Sequence, residues 1–115
     1  MASLLLVAAI LPEKGEALRR FYQELSGSRC EEYELSRRRL GITGECVWVS
    51  QICHFEIAIV SLETATPEQV ILQVAMSELP FDRWFRQQLR EFYGLDLTQL
   101  NTASTNELIF LWQQA

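Results

Sequence analysis

An α+β fold with a four-stranded antiparallel sheet is what the sequence predicts, on three observations. Four runs rich in Leu, Ile and Val, residues 3–11, 42–50, 52–62 and 107–113, read as strands. The segments between the first and second strands, and between the third and fourth, carry helical periodicity and helix start signals. A short connection near Gln51 joins the second and third strands as a hairpin. The chain of 115 residues is sized for one domain, residues 1–115, with a single core.

The third strand, residues 52–62, is the centre of this plan. Phe55, Ile57 and Ile59 fall on one side of it, and Ala58, Val60 and Leu62 fall on the other behind His54 and Glu56. A strand with one wet face alternates apolar and polar residues, whereas this one is apolar on both sides, so both sides need covers.

The first strand, residues 3–11, is of the same kind: Leu4, Leu6, Ala8 and Ile10 oppose Leu5, Val7, Ala9 and Leu11. No positive segment precedes it, and it is far shorter than the roughly 20 residues a membrane span needs. Pro12-Glu13-Lys14-Gly15 breaks it. Leu18, Phe21, Tyr22 and Leu25 then form a helical stripe; Ser26-Gly27-Ser28 allows a stop, but the helix formers of 31–40 favour one long helix over 15–40, kinked at Gly27 and stopped by Gly41. Arg37, Arg38 and Arg39 follow Glu31, Glu32 and Glu34, which suggests a solvated, self-neutralised helix face with Glu34 and Arg38 as an i,i+4 pair.

The second strand, 42–50, carries Gly44 as a candidate bulge. After the central strand, Thr66, Pro67 and Gln69 have the pattern of an N-cap, a first helical position and a capping box. That helix turns Val70, Ile71 and Val74 inward and ends near Ser77. Pro80 opens another helix with Asp82 in its first turn; Phe81, Trp84, Phe85, Leu89 and Phe92 make its stripe, and Gly94 ends it. A leucine-rich connector over 95–100 and a loop over 101–106 lead to the last strand, 107–113.

The order β-α-β-β-α-α-β is the ferredoxin-like plan with an extra helix in the second crossover. Helices on one sheet face leave the other apolar and uncovered, and a second copy is the simplest cover. The chain here resembles the dimeric α/β-barrel superfamily, through Pro12-Glu13-Lys14-Gly15, Arg39-Leu40-Gly41-Ile42 and Pro80-Phe81-Asp82-Arg83-Trp84-Phe85. The resemblance implies a homodimer whose sheets enclose a space, in a superfamily that includes cofactor-free monooxygenases.

Composition removes several function classes. Net charge is −5 without a basic stripe, which argues against nucleic acid and anionic membranes as partners. Cys30, Cys46 and Cys53 are odd in number and lack ligand spacing, so no disulfide framework or metal is expected. They read as small buried hydrophobes in a reducing, cytoplasmic setting. No nucleotide-binding, hydrolase or cofactor motif occurs, and no cofactor is expected.

His54 is the one histidine. If an even-numbered hairpin loop is centred on Gln51-Ile52, Val49 faces His54, Val47 faces Glu56 and Glu45 faces Ala58; an odd loop or a bulge breaks that registration. His54 and Glu56 are then a candidate general base on the helix-free face, with Glu45, Val47, Val49, Ala58 and Val60 lining the space beside it. The plainer reading puts His54 in solvent at the hairpin end. Tyr22, Tyr33 and Tyr93 line a pocket or belong to the core. Three functions are thus open: a homodimeric domain binding a small apolar ligand between sheet and partner, a cofactor-free oxygenase or isomerase, and, least supported by charge, an RNA-recognition module.

Overall fold

The structure is a computed structural model that describes residues 2–95 and 107–114. Its elements are β1 (Ala2–Ala9), α1 (Gly15–Leu25), α2 (Cys30–Leu40), β2 (Ile42–Ile52), β3 (Phe55–Thr64), α3 (Pro67–Met76) and α4 (Pro80–Tyr93). β3 is central and pairs antiparallel with β1 on one side and β2 on the other.

Among the described residues the sheet has three strands, not four, and closes no barrel. The expected last strand is the reason. Residues 107–114 carry no regular structure, and Leu108, Ile109, Phe110, Leu111 and Trp112 are between 64% and 86% exposed. Alternating side chains permit a strand, but only a partner's backbone makes one, and this segment forms no ladder. The connector and loop expected over 96–106 lie outside the described residues.

The long first helix is also corrected: it is two helices. The Ser26 hydroxyl donates to the carbonyls of Tyr22 and Gln23, both at 3.1 Å. The Gly27 and Arg29 amides then turn back to the Glu24 carbonyl. Side-chain and turn bonds of this kind end a helix rather than bend it. α2 stops at Gly41, which takes the left-handed conformation with φ +74°. The register of β2 against β3 shifts between Ile42 and Gly44, the site of the expected bulge. α3 begins at Pro67 behind Thr66, although the Thr66 side chain makes no capping bond. Its last carbonyls are met from α4 instead: one Arg86 nitrogen donates to Val74 and Ser77 at 2.7 and 2.6 Å.

The helices cover one sheet face. Cross-strand rows Leu6–Val60–Val47 and Ala8–Ala58–Val49 look toward them, and rows such as Val7–Ile59–Trp48 look away. Two apolar clusters form beneath the helices. One centres on Phe21, whose ring lies 5.1 to 5.5 Å from those of Phe92, Trp84 and Phe85. The other joins Leu40, Ile42, Leu62, Val70 and Val74.

Candidate functional site

Between these two clusters lies a cavity of about 390 Å³. Its floor is the helix-facing side of the sheet, including Leu6, Ala8, Ala58, Val60 and Leu62. α3 contributes Val70 and Val74, and α4 contributes Phe85, Leu89 and Tyr93. Arg37, Glu45, Tyr22 and Tyr93 bring the polar groups into an otherwise apolar lining.

Glu45 reaches this place because the β2 register sets it opposite Leu62, on the helix-facing side. Its side chain is 7% exposed and that of Arg37 11%, and Arg37 Nε donates to Glu45 Oε1 at 2.7 Å. The Tyr33 hydroxyl donates to the same oxygen at 2.5 Å. Oε2 takes no hydrogen bond from the described residues. The Arg37 guanidinium lies 4.5 Å from the Tyr33 ring centroid and 4.8 Å from that of Phe85, so aromatic faces sandwich the charge.

The pair extends into a chain of polar contacts across the helix layer. Arg37 Nη1 donates to Ser36 Oγ at 3.2 Å, and Ser36 Oγ donates to Asp82 Oδ1 at 3.4 Å. Asp82 also pairs with Arg39. Three elements, β2, α2 and α4, are thus tied by one network, a costly arrangement to bury unless each member is satisfied. The Tyr93 hydroxyl, though buried, has no hydrogen-bond partner among the described residues.

The field of Glu45 shows in the tyrosines. Burial, then the Glu45 charge, push the Tyr33 and Tyr93 hydroxyls up to about 12. Tyr22 is raised well above its ordinary value, first by burial and then by Glu45. All three phenols therefore hold their protons as donors at neutral pH. Arg37 is raised as well: burial lowers it, but Glu45 and Tyr33 together outweigh that.

The residues singled out from sequence fall in different places. His54 is exposed in the two-residue turn Cys53-His54. Glu56 lies on the helix-facing side, where Arg19 Nη2 donates to it at 2.9 Å. Neither residue lines the cavity. The turn comes later than the assumed Gln51-Ile52 centre, so Val49 faces Ala58 in place of His54, a slip of four residues. That even slip leaves Glu45, Val47, Val49, Ala58 and Val60 on one face, and that face is the helix-covered one. Glu45, Ala58 and Val60 line the cavity; Val47 and Val49 line a shallower depression with Leu18, Arg19 and Tyr22.

Arg37 and Asp82 were missed as site residues. The run of three arginines conceals that Arg37 sits on the inner side of α2, three residues before buried Leu40. That i,i+3 spacing was the available signal. The cysteines are also misplaced by the sequence reading, since Cys46 and Cys53 are exposed and Cys30 is half-buried. No group of metal-ligating side chains occurs among the described residues, and no helix among them is long and apolar enough to cross a membrane. No protein-family model, curated protein or solved structure matches this chain.

Proposed function

We propose that this chain is a binding domain for a small, mostly apolar molecule held between the sheet and the helices. The observation that carries the reading is the cavity of about 390 Å³, apolar except for convergent side chains from β2, α1, α2 and α4. Ligand sites have this character: roughly 300–1,000 Å³, mainly hydrophobic, with a few placed polar groups. The occupied space is therefore under the helices, not between sheet and partner.

Titration calorimetry with propylbenzene tests the reading. Ala8 is half-buried on the cavity floor, so a leucine there extends toward the space. The wild-type chain is expected to bind the probe, and Ala8→Leu is expected to lose binding while keeping its near-ultraviolet circular dichroism. Equal binding by both would place the probe outside the cavity and end the proposal.

The partner is a separate proposal: a second copy covers the helix-free sheet face. Val7, Trp48, Ile52 and Phe55 stand exposed there, Trp48 at 51% and Phe55 at 68%. Glu63 is the one charged side chain that the strand pairing puts on that face, so two copies meet without burying like charges against each other.

A further inference from the structure

Building on the cavity reading, we propose that the ligand carries a neutral hydroxyl, as a phenol or alcohol does, which accepts from Tyr93 and donates to Glu45. Among the polar atoms of the lining, the Tyr93 hydroxyl is buried without a partner among the described residues, and Glu45 Oε2 accepts no hydrogen bond from them. Tyr93 keeps its proton, so it offers a donor; a carboxylate oxygen offers an acceptor. One ligand hydroxyl fills both roles at once, because it has one proton and two lone pairs.

Charge selects against the obvious competitor, an organic anion. Arg37 is the cavity's cation, but Glu45 already neutralises it at 2.7 Å. An anion entering here would give up its hydration and meet the unpaired side of a carboxylate. A neutral hydroxyl gives up less and gains a charge-assisted bond. A buried tyrosine hydroxyl without a partner is itself unfavourable, so a ligand that satisfies it restores what burial removed.

The experiment compares three probes of one shape, propylbenzene, 4-propylphenol and 4-propylbenzoate, by titration calorimetry at pH 7. The phenol is expected to bind about tenfold more tightly than propylbenzene, the size of effect a charge-assisted hydrogen bond gives. The benzoate is expected to bind more weakly than either. In Tyr93→Phe the advantage of the phenol should shrink severalfold while propylbenzene binding stays put. This variant removes an oxygen that has no partner, so it should unfold at the same or slightly higher denaturant concentration. Glu45→Gln, where it folds, should shrink the same ratio. Equal affinity for phenol and propylbenzene, tightest binding by the benzoate, or an intact ratio in Tyr93→Phe each overturns the hydroxyl assignment while leaving the cavity reading standing. If none of the probes binds, the cavity reading fails and this inference falls with it.

Discussion

Burial first, and then the charge of one carboxylate, Glu45, set the protonation of the tyrosines around it. All three tyrosines of the chain are raised, Tyr33 and Tyr93 to about 12. In the unfolded chain each ionises near 10. The folded state therefore binds more protons between about pH 10 and 12, and stability falls with rising pH across that window. This stabilisation is complete below pH 10. Absorbance at 295 nm should stay flat through pH 10 and rise only as the chain unfolds; an ordinary step at pH 10 in still-folded protein would contradict the tyrosine placement. The Arg37–Glu45 pair makes a second prediction. Breaking it by Glu45→Leu leaves a buried guanidinium without its counter-charge and should cost about 3–5 kcal/mol in urea unfolding. The double variant Arg37→Met, Glu45→Leu should recover most of that loss, since a well-packed apolar pair is often as stable as a buried ion pair. Two additive losses would show that the pair is not coupled.

The elements whose ends are dictated locally were legible in the sequence. Pro67 and Pro80 start α3 and α4, and Gly41 and Gly94 end α2 and α4 in the left-handed conformation, as fixed φ and missing Cβ require. Strand parity was legible too, which is why Glu45, Ala58 and Val60 group together. Which parity meets the helices was not legible, because Leu6 and Val7, or Val60 and Ile59, are equally apolar and only tertiary packing chooses between them. The break at Ser26 was half-legible: Gly27 marked the place, but the Ser26 hydroxyl's bonds to its own helix decide the stop. The Arg37 contact was hidden because its partner lies across the fold. The hairpin holds a prediction of its own. Cys53 opens the two-residue turn with φ +56°, a region that disfavours a side chain, and glycine is the usual residue there. Cys53→Gly should raise stability by about 0.5–1 kcal/mol, read from urea unfolding midpoints at constant slope. A loss instead would mean that the thiol itself holds the turn.

At the scale of the molecule, the described residues cover one sheet face and leave the other bare. If a second copy is the cover, the pair should bury the roughly 1,200–2,000 Å² in total that stable interfaces need. Sedimentation equilibrium at micromolar concentration should then report a dimer for the wild type and a monomer for Trp48→Glu, with the far-ultraviolet spectrum unchanged. Trp48 is the fitting probe because it sits mid-strand, paired with Ile59 and outside the cavity lining. A wild-type monomer would remove the partner proposal and leave the cavity untouched, since no residue of the bare strand face other than Val7 reaches its lining.

Tyr33 and Arg37 both address one oxygen of Glu45 and leave the other alone. In vibrational language, such a carboxylate has unequal carbon–oxygen bonds, and its antisymmetric and symmetric stretches stand further apart than in a group solvated evenly. A hydroxyl arriving at Oε2 would even the two bonds and draw the bands together. The wild-type minus Glu45→Gln infrared difference spectrum, recorded with and without 4-propylphenol, would then carry the occupancy of a single oxygen atom as a change in band spacing, without any label on the ligand.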